Sequence, residues 1–313
     1  MTDLVRITDV APRDGLQNEP GVIATADKAA LVRLLAASGV DEVEVTSFVS
    51  PKWVPQLGDA EALLNLLAEA KPEGVCYSVL VPNEKGMARA MAADERAGGS
   101  LIDKVAVFTA ASETFSEKNT NATVAETIER FGPVVESAGR HNKQVRGYIS
   151  CVVRCPYEGD IEPRRVGEVA RMLLDIGVDE IDLGDTIGAA TPETIEPLLF
   201  ELIEVLDGRP TNTFGDPTLT LHLHDTFGRA ADCVREALAL GVRSFDGSAG
   251  GLGGCPFASV DGERAPANIS TSLLVRTIED AGYRTNVNRA KLAHAGAFAE
   301  RIVMAARLSE GSA

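Results

Sequence analysis

The chain has 313 residues, with 30 Lys and Arg against 46 Asp and Glu, for a net charge of −16. That balance excludes general binding to nucleic acids or anionic membranes, whose phosphates demand a basic footprint. Hydrophobic residues at 45% and charged residues at 24% describe a globular chain, and aromatics at only 5% call for an aliphatic core of Val, Leu, Ile and Ala.

In chain order, β-rich runs at 5–10, 42–46, 76–81, 104–108, 144–150, 180–184, 218–224 and 243–247 predict strands. Between them, amphipathic stretches at 25–37, 59–68, 123–138, 163–176, 192–206 and 228–240 predict helices. Thr123 ahead of Glu126, and Thr191 ahead of Pro192 and Glu193, mark helix starts. Gly39, Gly177 and Gly241 each precede a valine that leads into a strand, as glycines do when they end a helix in left-handed conformation. About eight such units predict an α/β fold, a (β/α)8 TIM barrel over about residues 4–283. A helix near 287–307 then forms a C-terminal capping helical segment over about 284–308, the whole being a single domain over 1–313. An open doubly wound sheet is the competing architecture, but its Gly-x-Gly-x-x-Gly after the first strand is missing.

The first residues carry no basic segment followed by an apolar run, so no signal peptide is expected. No uncharged stretch reaches membrane-spanning length. Five sparse cysteines, Cys76, Cys151, Cys155, Cys233 and Cys255, fit reduced thiols and a cytoplasmic location.

Loops after the strands form the catalytic face of such a barrel. His222 and His224 lie two apart on a strand, so both imidazoles leave one face together. They read either as two metal ligands or as unrelated core or surface histidines. Asp14, at the end of the first strand, can add a hard oxygen ligand. Its neighbour Arg13 can stabilise negative charge developing on an oxygen, and a plain surface ion pair is the alternative. Glu44, in a buried alternation, either holds Arg13 structurally or takes part in proton transfer. Asp185 is a candidate partner for the metal, a histidine or Arg13; a helix-capping role for it or for Thr186 fits equally. The glycine-dense loop 250–254 delivers Cys255 to the mouth as a catalytic residue, against the usual fate of a lone cysteine as an inert thiol. Asn268 offers an amide oxygen. Two imidazoles, a carboxylate and an amide leave about two octahedral positions open, a set suited to the divalent cation Mg2+ or Mn2+.

Several motifs occur in order: 13–19 (Arg-Asp-Gly-Leu-Gln-Asn-Glu), 46–56 from Thr46 to Gln56, Arg146-Gly147-Tyr148 with Cys155 to Gly159, Leu183 to Gly188, His222-x-His224-Asp225-Thr226, and Gly251 to Pro256. Together they resemble the hydroxymethylglutaryl-CoA lyase family over roughly Leu4 to Leu308. The resemblance implies a TIM barrel using a divalent cation to cleave 3-hydroxy-3-methylglutaryl-CoA into acetyl-CoA and acetoacetate. It implies metal binding by Asp14, His222, His224 and Asn268, and stabilisation of the enolate by Arg13. It further implies support of Arg13 and of proton transfer by Glu44 and Asp185, and acid/base work by Cys255. Gln17, Ser47, Asn119, Tyr148 and Thr186 are the candidate contacts to the acyl-CoA substrate, with Lys52 as a further CoA candidate. A homodimer is implied by the resemblance alone.

The chain departs from that pattern in places. A longer loop runs from Ser259 to Pro266, Ala267 and Ser272 replace a glycine and a glutamate, Asp182 stands for a small hydroxyl residue, and Arg154 for a glycine. Asp182 and Arg154, at neighbouring strand ends, are expected to pair with each other, or else to reshape the acyl pocket for citramalyl-CoA or a longer-branched 3-hydroxyacyl-CoA. Competing readings are a Claisen-condensing synthase, which usually carries extra C-terminal domains, a metallohydrolase, which usually has its His-x-His on the first strand, and a non-catalytic metal-binding barrel.

Overall fold

The computed structural model describes residues 3–69, 71–207, 211, 215–216, 218–253 and 268–310. Eight parallel strands close into a barrel: β1 (Arg6–Asp9), β2 (Glu42–Ser47), β3 (Cys76–Leu80), β4 (Lys104–Ala110), β5 (Gln144–Ser150), β6 (Glu180–Asp185), β7 (Leu219–Leu223) and β8 (Ser244–Gly247). Each pairs with its sequence neighbours, and β1 meets β8 with Arg6 opposite Ser244 and Asp9 opposite Gly247. Around them run α1 (Thr25–Ser38), α2 (Ala60–Leu67), α3 (Glu84–Arg96), α4 (Glu113–Thr120), α5 (Val124–Arg140), α6 (Pro163–Asp175), α7 (Pro192–Val205), α8 (Ala230–Ala239) and α9 (Thr271–Asp280). The last helix, α10 (Arg289–Glu310), lies against α1 and the turn at 249–251 that leaves β8. No helix among the described residues is long and apolar enough to cross a membrane.

The helix ends follow local rules. Thr123 and Glu126 form the reciprocal cap that starts α5. Gly39 ends α1 at φ 88°, and a Cβ there would come within 2.4 Å of the Asn286 carbonyl oxygen, so both conformation and space require glycine. The sequence reading does not anticipate α3 or α4. Only Phe115 and Ser116 of α4 are buried, too few to print an amphipathic period on eight residues.

Every residue of β2 and β6 is buried, so alternation here separates two interiors rather than core from solvent. Val43, Val45, Ile181, Leu183, Leu221 and Leu223 join the aliphatic layer under the helices. The alternate positions face the barrel lumen, and most are polar, with Leu80, Ala106 and Phe108 forming a small apolar cluster beside Tyr148. Lys104 Nζ donates to Glu42 at 2.8 Å and to Glu180 at 2.7 Å across the barrel. Arg146 reaches Glu42 at 3.1 Å, Glu180 at 2.9 Å, Asp246 at 3.4 Å and the Thr8 hydroxyl at 3.2 Å. The expectation of an aliphatic core therefore holds outside the strands and fails inside, where branched aliphatics usually pack. Buried charges persist there because each meets an opposite charge, which offsets the large cost of desolvation.

Candidate metal site at the mouth of the barrel

After β1 the chain makes one turn of π-helix, Ala11–Gly15, in which the amides of Asp14 and Gly15 both donate to the Val10 carbonyl. This wide turn ends the strand earlier than its sequence suggests and aims Arg13 and Asp14 across the mouth. Asp14 converges with His222, on β7, and His224, one residue beyond it: one ligating atom from each lies within 4.8 Å of the others. The two imidazole Nε2 atoms face each other at 3.3 Å. Asn268 completes the cluster, its amide 2.8 Å from Asp14 Oδ2 and 3.0 Å from the Leu252 carbonyl. Amide orientation follows from hydrogen-bond networks, so Asn268 can turn its oxygen inward toward a cation.

Electrostatics favour a ligand set. Burial alone would raise the Asp14 carboxyl, but the Arg13 guanidinium and the two imidazoles hold it down at about 2. Burial and the adjacent His222 push His224 down to about 4, which keeps a lone pair available on a neutral ring. Burial pulls His222 down as well, yet the Asp246 carboxylate, 3.1 Å from Nδ1, outweighs it and raises the group. That bond occupies Nδ1 and leaves Nε2 toward Asp14 and His224.

Arg13 donates from Nε to Glu44 at 2.6 Å and from Nη1 to Asp14 at 2.7 Å, and its guanidinium lies 5.5 Å from the centre of the Tyr148 ring. Glu44 is fully buried, and burial raises its carboxyl against the pull of Arg13. Tyr148 meets His222 edge-on, with centroids 6.1 Å apart. Gln17 donates to Asp14 Oδ1 at 2.8 Å, so it joins the same group.

Other candidates sit around it. Asp185 accepts the amides of Ala189 at 3.0 Å and Ala190 at 2.9 Å, and burial raises it to about 6. Its carboxylate secures the turn after β6 and makes no hydrogen bond to Arg13 or to a histidine. Thr186 Oγ1 accepts the Cys151 amide at 2.8 Å, and Ser47 Oγ accepts the Val49 amide at 3.1 Å. Asn119 and Lys52 are exposed on the loops and helices beyond β4 and β2. Cys255 and the loop 259–266 lie outside the described residues.

Asp182 does not pair with Arg154. Arg154 is exposed on a short hairpin, 3.5 Å from Asp160. Asp182 points into the lumen with no exposure, 3.6 Å from Arg146 and within ligand distance of His222 and Asp246. The strand alternation explains this, because position 182 shares the inward face with Glu180 while Arg154 lies beyond the strand. Asp246 and Arg146 are the site residues that sequence reasoning did not single out for a role. A carboxylate at an inward position of a strand, in Ser244-Phe245-Asp246, was the signal available for the first.

A parallel (β/α)8 barrel that gathers two imidazoles, a carboxylate and an amide at the C-terminal mouth defines a candidate metal-assisted enzyme. The family model described as HMGL-like matches residues 4–298. The "3-hydroxy-3-isohexenylglutaryl-CoA/hydroxy-methylglutaryl-CoA lyase" of Pseudomonas aeruginosa is 42% identical over 309 residues, 98% of this chain and 95% of that protein. The crystal structure of the HMG-CoA lyase from Brucella melitensis is 42% identical with a TM-score of 0.86, covering 96% of this chain and 99% of that one. A similar lyase from Acinetobacter baumannii, solved with coenzyme A and 3-methylmalate, is 32% identical with a TM-score of 0.84, covering 96% of this chain and 92% of that one. The chain belongs to the HMGL-like family and is a carbon–carbon lyase.

Proposed function

We propose that the protein, as a single lyase domain, cleaves 3-hydroxy-3-methylglutaryl-CoA to acetyl-CoA and acetoacetate with Mg2+ or Mn2+ as cofactor. The observation that carries this reading is the convergence of Asp14, His222 and His224 beside the Arg13 guanidinium. The donor set fits the cation: one hard oxygen and two nitrogens, with His222 Nδ1 already committed to Asp246. When bound, a divalent cation at these residues would make the tertiary hydroxyl more acidic and hold the distal carboxylate. The hydroxyl proton passes to a base, with Asp185, raised by burial to about 6, as the proposed acceptor; the adjacent carbon–carbon bond breaks, and its electron pair moves into the thioester as an enolate. Arg13 meets that charge, held in aim by Glu44 and by the Tyr148 ring. A proton from Cys255 then completes the acetyl methyl group.

In this reading Asp185 positions the turn that carries Thr186, and Gln17 steadies Asp14. Ser47, Asn119, Lys52, Tyr148 and Thr186 contact the acyl-CoA. Asp182 is shut beneath His222 and Arg154 is turned outward, which favours the methyl-branched substrate over a pocket rebuilt by this pair. The relatives' substrates and the coenzyme A held by one of them support an acyl-CoA. The thiols of Cys76, Cys155 and Cys233 support a reducing, cytoplasmic setting. A homodimer is part of the proposal and is tested by sedimentation.

The deciding experiment mixes protein and Mg2+ or Mn2+ with 3-hydroxy-3-methylglutaryl-CoA, an isohexenyl-branched analogue and citramalyl-CoA, and follows acetyl-CoA. Metal-dependent release from the first, lost in His222→Ala, supports the reading. Release from another thioester alone reassigns the substrate. No release from any refutes the lyase reading for these compounds.

A further inference from the structure

Asp14 is the ligand whose place is least secured by the sheet. His222 sits in β7 and His224 one residue past it, whereas Asp14 rides a turn followed by a segment, 16–24, without regular secondary structure. That segment is pinned from outside the barrel. Arg307 of α10 grips Glu19 with two parallel bonds of 2.7 Å, from Nε to Oε2 and from Nη2 to Oε1. The Glu19 side chain is 3% exposed and that of Arg307 52%. Two residues on, Gly21 lies so close to α10 that a Cβ would come within 2.4 Å of the Ala306 carbonyl oxygen. From below, Gln56 Nε2 donates to the carbonyls of Glu19 at 3.1 Å and Gly21 at 2.7 Å. The same helix closes on the β8 turn, where a Cβ on Gly250 would meet the Gly296 carbonyl oxygen at 3.2 Å. That turn leads to Leu252, whose carbonyl receives Asn268 and whose Cβ would lie 3.0 Å from a Cβ on Gly15.

We propose that Arg307 is a positioning residue for the Arg13–Asp14 pair: its bidentate hold on Glu19 fixes the loop after β1, and with it the carboxylate at the metal site. The fork matters as much as the charge, because two parallel bonds set direction where a point charge does not. A half-exposed ion pair adds little to global stability, so its loss is expected to leave the fold intact. A displacement of Asp14 by a fraction of an ångström is, by contrast, costly to ligation and to catalysis. The inference rests on the metal-dependent lyase reading for its Mn2+ and kinetic readouts, and not for its exchange readout.

The test compares the full-length parent with Arg307→Gln, Arg307→Lys and Arg301→Gln, the last a control on the same helix. Mn2+ affinity by electron paramagnetic resonance and amide exchange of residues 13–19 are measured without substrate, then kcat and KM. We expect Arg307→Gln to weaken Mn2+ by about tenfold, in the range of losses from outer-shell supports of metal ligands. We expect faster exchange at 13–19 and a fall in kcat larger than any rise in KM. Arg307→Lys recovers part of each effect, and Arg301→Gln matches the parent. Parent-like Mn2+ affinity and exchange in Arg307→Gln would overturn the proposal even if its melting temperature dropped, as would equal effects from Arg301→Gln. Because exchange needs neither turnover nor metal, an inactive parent would refute the lyase reading while this comparison still decides the role of Arg307.

Discussion

Asp246, on β8, accepts a hydrogen bond from His222 Nδ1 of the neighbouring strand at 3.1 Å, and thereby decides which ring nitrogen faces the site. Asp246 is itself held by Arg146 at 3.4 Å and touched by the Tyr148 hydroxyl at 3.4 Å. The orientation of the imidazole proposed to ligate the cation is thus set from the lumen below it. Asp246→Asn keeps the shape and removes the charge. It is expected to weaken Mn2+ binding about 10- to 100-fold, read by titration of the metal-free protein. An unchanged affinity would mean the bond does not orient His222.

Arg13 makes its contacts through a planar fork that lysine lacks. Arg13→Lys is therefore expected to lower kcat by about 10²- to 10³-fold with little change in KM, since in the proposed reaction the group acts on charge that appears only in the transition state. A rise in KM with kcat preserved would instead assign Arg13 to ground-state binding.

Two buried carboxyls give stability opposite dependences on pH. Glu42 is raised by burial but lowered more by Arg146 and Lys104, to about 2, so its contribution is present above its unfolded value of 4.5 and is lost as pH falls toward 2. Asp9 is raised by burial to about 6, despite bonds from Thr271, Ala11 and Ala249. The folded state then binds the proton more tightly than the unfolded chain, and Asp9 subtracts up to roughly 3 kcal/mol as pH rises from about 4 to 6. Urea unfolding should show stability climbing from pH 2 to 4.5. Asp9→Asn should flatten the decline that Asp9 contributes above it. A decline of the same slope in the variant would show that Asp9 does not titrate there.

Lys104 sits between Glu42 and Glu180 with 2% side-chain exposure. Lys104→Met leaves both carboxylates facing each other without their shared cation, although Arg146 still reaches each. A loss of about 3–5 kcal/mol is expected in chemical denaturation. Lys104→Met combined with Glu180→Gln should recover part of it, and no recovery would point to lost packing rather than charge.

Much of this molecule was written in local chemistry. The strand and helix alternation, the glycine that ends α1 and the capping pair of α5 obey rules that span a few residues, so they were legible without the fold. So was the pairing of His222 with His224 on one strand face, because i and i+2 share a direction. The sequence by itself therefore determined the barrel and the principal candidate ligands. Other facts belong to contacts between distant segments, such as Asn268 meeting Asp14 across 254 positions. Strand alternation alone could not say whether the second face of each strand was solvent, apolar core or a charged lumen. Only closure of the barrel decided that Glu42, Lys104, Arg146 and Glu180 share one enclosed space, and that Asp182 joins them instead of Arg154. The same holds for Arg307 and Glu19, 288 residues apart. A buried charge chooses its partner by proximity in three dimensions, and that proximity exists only once the sheet has curved back on itself.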